Sequence, residues 1–163
     1  MTRAVIVMGV SGSGKTTFGT ALAQALNWAF KDADDYHPQG NVQKMANGEA
    51  LTDADREPWL LRLHALIQQH LLENQPLVLA CSALKASYRQ TLTANLEGLK
   101  IVFLNGSREL IAGRMKSRKH FMPASLLESQ LNTLEPPQDA LVLDIGQPIE
   151  VMVRDVMAQL QLD

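Results

Sequence analysis

Eight residues near the N-terminus, Gly9, Val10, Ser11, Gly12, Ser13, Gly14, Lys15 and Thr16, carry the most specific chemistry in the chain. They complete the pattern G-x-x-x-x-G-K-[ST], whose glycines let the backbone curl until successive N–H groups converge on an anion. A helix starting at the end of such a loop adds the partial positive charge of its N-terminus. Lys15 supplies a mobile charge for β- and γ-phosphate oxygens, and the Thr16 hydroxyl is a hard oxygen ligand suited to Mg²⁺. Gly9, Ser11, Gly12, Ser13, Gly14, Lys15 and Thr16 are therefore expected to hold a nucleoside triphosphate, with Thr16 also a metal ligand, although such a loop alone does not separate kinases from switch GTPases or motor ATPases. The bland alternative is a glycine-rich turn without a ligand. The apolar run before the loop and the amphipathic stretch after it favour the phosphate reading.

A second cluster, Phe30-Lys31-Asp32-Ala33-Asp34-Asp35-Tyr36-His37-Pro38, places three carboxylates directly after a strand-like run. Such crowding is costly unless cations or donors answer it. Asp34 is the candidate to accept the proton of an attacking hydroxyl, because phosphoryl transfer needs positioning and a nearby acceptor more than a strong base. Asp32 is the candidate to hold Mg²⁺ through water. An exposed acidic turn closed by proline is the competing reading.

Lys44, Arg56, Lys85, Arg89, Asp34 and His37 offer charge, donors and acceptors to an acceptor substrate, arginine being suited to a carboxylate by bidentate pairing. Against this stands the usual fate of such side chains, a solvated place on a helix. Further on, Arg114, Lys116, Arg118, Lys119 and His120 concentrate positive charge. Part of it offsets a helix dipole. Arg118, and next Arg114, are expected to meet the transferred phosphoryl group under a closing lid, with His120 on the substrate side. His64 and His70 fall inside a long helical stretch and read as structural. The lone Cys81 reads as a packing residue with no chemistry.

These groups need elements to position them. Unbroken apolar runs at Ala4–Met8, Leu77–Cys81, Ile101–Leu104 and Leu141–Ile145, with a weaker one at Trp28–Lys31, read as strands buried on both faces. Between them lie helical spacings such as Phe18, Leu22, Ala25 and Leu26, or Trp59, Leu63, Leu66, Ile67 and Leu71. Alternation of this kind predicts an α/β fold, a parallel sheet with helices on both faces, whose ligands gather beyond the carboxyl ends of the strands. Thr52 and Asp55 form a capping-box pattern at the start of one helix, which explains Asp55 without a functional role.

Composition narrows the possibilities. At 163 residues, with 46% hydrophobic and 20% charged residues, the chain is expected to fold as one domain over residues 1–163. A formal charge of −2 gives no general attraction to nucleic acid or anionic membrane. No apolar run reaches the roughly 20 residues of a membrane-spanning helix. One cysteine and an N-terminus that enters a strand directly point to a cytoplasmic location.

Resemblance sharpens the expectation. Asp32-Ala33-Asp34-Asp35-Tyr36-His37-Pro38 with Asn41, Lys44 and Met45 resembles the acceptor segment of the gluconokinase family. Gly48-Glu49-Ala50-Leu51-Thr52-Asp53-Ala54-Asp55-Arg56-Glu57-Pro58-Trp59-Leu60 is similar to that family's G-x-P-L-x-D-x-D-R-x-P-W-L, with Ala50 where proline is usual. Cys81-Ser82-Ala83-Leu84-Lys85-Ala86-Ser87-Tyr88-Arg89, His120-Phe121-Met122-Pro123 and Ser129 to Pro137 resemble later family segments, although the usual lid glycine is missing beside His120.

The resemblance implies a three-layer α/β/α fold with a five-stranded parallel sheet in the order 2-3-1-4-5 and a lid. It also implies ATP and Mg²⁺, gluconate as the small-molecule substrate, and a homodimer. By analogy of fold, the Asp144-Ile145-Gly146-Gln147-Pro148 loop is expected beside adenine. A shikimate kinase is the near alternative, since Phe30-x-Asp32-x-Asp34 also resembles its acceptor motif, but its glycine triplet after the third strand is absent. A nucleoside monophosphate kinase lacks a second base-binding segment here. A non-catalytic nucleotide-binding regulator, the alternative of another class, would need neither acceptor nor lid residues.

Overall fold

The computed structural model describes residues 1–117 and 124–160. Five strands run along the chain as β1 (Ala4–Met8), β2 (Ala29–Asp32), β3 (Leu77–Ala80), β4 (Leu99–Asn105) and β5 (Leu141–Asp144). All pairings are parallel, and the order across the sheet is β2-β3-β1-β4-β5. The expected sheet and order are therefore present. The apolar runs marked the strand centres, and β4 extends beyond its run at both ends because backbone pairing with β1 starts at Leu99 and pairing with β5 reaches Asn105.

Side chains of the central β1 strand are buried on both faces. Alternation along it splits the core in two: Val5 and Val7 face one apolar layer, while Ala4, Ile6 and Met8 face the other. The first layer takes in α1 (Lys15–Leu26), α5 (Arg108–Ser117), α6 (Ala124–Thr133) and α7 (Ile149–Gln159) through Phe18, Leu22, Ile111, Leu127, Met152 and Val156. The second takes in α3 (Asp53–Leu72) and α4 (Ala86–Thr93) through Trp59, Leu63, Ile67, Tyr88 and Leu92. A short α2 (Gln39–Ala46) joins the acidic turn to α3.

The Thr52 and Asp55 capping box forms as expected, each side chain bonding the other residue's backbone N–H at 3.1 and 2.9 Å. Parallel order brings the ends of β1, β2 and β3 to one edge, so the phosphate loop, the acidic turn and the loop after Cys81 open on the same crevice.

Candidate active site

The loop between β1 and α1 is tight because its glycines permit it. A Cβ on Gly9 would lie 2.6 Å from Ser13 Oγ, and one on Gly12, at φ +81, would lie 2.7 Å from Met115 Cγ on α5. Ser13 Oγ is buried inside the loop without a hydrogen-bond partner among the described residues. A buried hydroxyl left over inside a phosphate loop fits an anionic guest such as a triphosphate. Lys15 Nζ folds over the same loop, donating to Gly9 O at 3.0 Å and Val10 O at 3.2 Å. Burial lowers its pKa, with Asp34 and Asp32 among the charges that oppose the shift.

Thr16 Oγ1 donates to Asp32 Oδ2 at 3.1 Å, so the two expected metal residues meet across α1 and β2. Among the described residues no group of three or more His, Cys, Asp or Glu could hold a metal alone. Two hard oxygens beside a phosphate loop suit Mg²⁺, which keeps waters and takes ligands from phosphates. Asp32 Oδ1 also accepts from the Asp34 N–H at 3.0 Å and caps the 3₁₀ turn Ala33–Tyr36, which fixes where Asp34 stands. Desolvation by the cleft walls and repulsion from Asp32 raise the Asp34 pKa, while Lys15 pulls it down. Since 86% of the Asp34 side chain is exposed, repulsion is the more durable of the two causes.

His37 follows with its side chain 4% exposed and its Nε2 3.9 Å from Asp34 Oδ1. Its ring stacks on Trp59 at 4.2 Å, and Trp59 Nε1 donates to Ala33 O at 2.7 Å, so the acidic turn is bolted to α3. Burial, aided by Arg56, lowers the His37 pKa and favours a neutral ring.

Arg56 and Lys85 meet around Tyr88 and Asp53. Lys85 Nζ donates to both Asp53 oxygens at 3.1 Å, Arg56 donates to Tyr88 Oη at 3.1 Å, and Tyr88 Oη donates to Asp53. The sequence reading missed Tyr88 and Asp53, although both stand inside the segments it quoted.

Two more of the expected substrate residues have partners within the protein. Lys44 Nζ donates to Asp55 Oδ2 at 2.8 Å, which places it in the capping network of α3, where it and Thr52 hold the Asp55 pKa at about 2. Arg89, expected to bind substrate, is buried and donates to Ala83 O at 2.8 Å, Leu84 O at 3.3 Å and Glu135 O at 2.8 Å. Ala83 adopts φ +46, a left-handed conformation that alanine disfavours. Arg89 thus ties a strained loop to Glu135, its planar fork serving three carbonyls at once.

Arg114 lies on the nucleotide side. It donates to Ile145 O, and its Nη1 stands 3.9 Å from where a Gly14 Cβ would be. A cavity of about 420 Å³ opens there between Ser13, Gly14, Thr17, Arg114, Gln147 and Pro148, where the adenine loop was expected. Arg118 and His120 lie outside the described residues. Gln130, which sequence reasoning quoted without a role, bonds Ser11 through its carboxamide.

A parallel sheet in this order, a phosphate loop after β1 and carboxylates after β2 define a P-loop kinase acting on a small molecule. A family model described as shikimate kinase matches residues 11–138. The chain is 43% identical over 171 aligned residues to a probable gluconokinase of Xenopus tropicalis, covering 93% of this chain and 90% of that protein. It is 49% identical to a gluconokinase of Gluconobacter oxydans, covering 84% and 78%. A solved gluconokinase structure from Sinorhizobium meliloti 1021 superposes with a TM-score of 0.84 at 46% identity, covering 96% of this chain and 90% of that one. The chain belongs to the gluconokinase family of kinases.

Proposed function

We propose that this chain transfers the γ-phosphate of ATP to D-gluconate, giving 6-phospho-D-gluconate and ADP. The observation that carries this reading is one continuous line of groups: Thr16 Oγ1 of the phosphate loop donates to Asp32 Oδ2 at 3.1 Å, Asp32 Oδ1 accepts from the Asp34 N–H at 3.0 Å, and Asp34 Oδ1 lies 3.9 Å from His37 Nε2. Phosphate-side and acceptor-side chemistry therefore share one crevice.

The acceptor hydroxyl attacks the γ-phosphorus, the bond from that phosphorus to the β-bridging oxygen breaks, and the hydroxyl proton passes to the Asp34 carboxylate. Lys15 leaves the Gly9 and Val10 carbonyls to meet the phosphates, while the loop N–H groups hold them. Mg²⁺, when bound, would neutralise phosphate charge, and Thr16 with Asp32 would hold it. Arg56 and Lys85 take the gluconate carboxylate, exchanging their contacts to Asp53 and Tyr88 for it. His37 donates to or accepts from a hydroxyl. Arg114 stabilises the transferred group, and the roles of Arg118 toward that group and of His120 toward the acceptor are carried over from the family resemblance.

Following ADP formation with Mg²⁺-ATP and, in turn, gluconate, shikimate and AMP tests the reading. Turnover with gluconate alone upholds it, and turnover with shikimate replaces it. Shikimate is the second reading because of the family model, yet Cys81, Ser82 and Ala83 stand where the glycine triplet belongs. We further place the protein in the cytoplasm as a homodimer of single-domain chains, on the family resemblance and the single cysteine. Among the described residues no helix is long and apolar enough to cross a membrane. Light scattering on the purified protein tests the dimer.

A further inference from the structure

We infer that Gln130 is a positioning residue, the end of a strut that sets the phosphate loop at a fixed distance from the loop after Cys81. Its carboxamide makes two hydrogen bonds to a residue 119 positions away: Oε1 accepts from the Ser11 N–H at 2.7 Å, and Nε2 donates to Ser11 Oγ at 3.2 Å. Orientation of the amide follows, since a backbone N–H can only donate and must face the oxygen. Ser11, expected to touch phosphate, gives both polar groups to this contact.

Five positions further along, Glu135 grips the other loop. Its N–H donates to Leu84 O, its Oε1 accepts from the Ala86 N–H and its carbonyl accepts from Arg89 Nη2, each at 2.8 Å. Between the two grips the backbone is not slack. Leu134 N–H donates to Gln130 O at 2.9 Å, Leu134 packs against both apolar layers, and Leu127 anchors α6 in the core.

One short ordered segment therefore ties the loop after β1 to the loop after Cys81. Phosphoryl transfer depends on holding the attacking oxygen in line with phosphorus, and small displacements of either partner are costly. Glutamine suits the strut because it offers an acceptor and a donor at once. A glutamate would keep only the acceptor and bring negative charge beside the phosphates.

The strut is geometric and rests on the gluconate reading only for its rate measurement, so two measurements are made on the full-length protein. The first is amide hydrogen exchange, without nucleotide, over residues 9–16 and 83–89. The second is steady-state kinetics with Mg²⁺-ATP and gluconate. Gln130→Ala is expected to speed exchange in both segments and to lower kcat about 10- to 100-fold, with the gluconate KM within about threefold of wild type. Gln130→Glu does not restore kcat. Glu135→Ala reproduces the exchange pattern, whereas Glu135→Gln, which still accepts from Ala86, stays near wild type. If a Gln130 variant fails to fold, Ser11→Ala removes the hydroxyl contact alone and is expected to shift exchange in the same two segments.

Unchanged exchange and kcat in Gln130→Ala overturn the strut. So does a change confined to residues 9–16 with the kinetic loss appearing only in the KM for ATP. If the wild-type protein does not turn over gluconate, the functional reading fails while the exchange result still decides the strut.

Discussion

Thr16 at the start of α1 and Asp32 at the end of β2 share a hydrogen bond of 3.1 Å, sixteen positions apart in sequence. The hydroxyl of a phosphate-loop threonine is thereby aimed at a carboxylate before any metal arrives. Orientation by such a partner tunes metal affinity even where the carboxylate reaches the ion only through water. Asp32→Ala is expected to raise the Mg²⁺ concentration for half-maximal activity about 10- to 100-fold. A titration of activity against Mg²⁺ at saturating ATP checks this, and an unchanged midpoint removes Asp32 from the metal site.

Asp34 gives a pH signature. Its pKa is raised above 3.8 in the folded protein by desolvation and Asp32, and the carboxylate must be ionised to take a proton. The acid limb of kcat should therefore lie above 3.8, and Asp34→Asn should abolish that limb while lowering kcat about 10²- to 10⁴-fold. The stability effect has the opposite sense. A folded state that binds this proton more tightly loses stability as pH rises from 3.8 through the raised pKa. Asp34→Asn should thus have the higher Tm at neutral pH and no advantage below 3.8, as thermal unfolding across pH would reveal.

Two neighbouring arginines should behave differently. Arg56 stands half-buried beside Tyr88 and Lys85, so Arg56→Ala is expected to raise the gluconate KM about 10- to 100-fold, the equivalent of one charge-assisted hydrogen bond. Arg89 is buried against three carbonyls, so Arg89→Met is expected to cost about 2–4 kcal/mol of unfolding free energy. Denaturant melts and initial rates on both variants separate the roles. A large KM effect with unchanged stability in Arg89→Met would return that residue to the substrate site.

Cys81 is buried at the end of β3, and burial pushes its thiol pKa up to about 12. A neutral thiol without access does not react. The native protein should resist a thiol-specific disulfide reagent at pH 8 and react fully once unfolded. Rapid modification of the folded protein would place Cys81 on an accessible surface.

Much of this protein was written locally. The phosphate loop could be read from eight consecutive residues because its backbone path is set by where glycine stands and where it does not. Buried strands showed as unbroken apolar runs, and the capping box of α3 showed as Thr52 followed by Asp55, since both signals arise within a few residues of the feature they make. Asp32 and Asp34 could be placed together because a strand ending into a turn keeps near neighbours near.

Charge partnership was not written locally. Lys44, Lys85 and Arg89 looked alike in the sequence, yet packing gives the first to Asp55, the second to Asp53 and the third to two carbonyls of a strained loop and the carbonyl of Glu135. Gln130 carried no signal of its own, because its partner Ser11 is brought to it only when α6 seats on the sheet. A long polar side chain can reach many groups, and which one it meets is decided by the relative placement of distant elements. That placement follows from burying two apolar layers against one sheet, a property of the whole chain rather than of any segment.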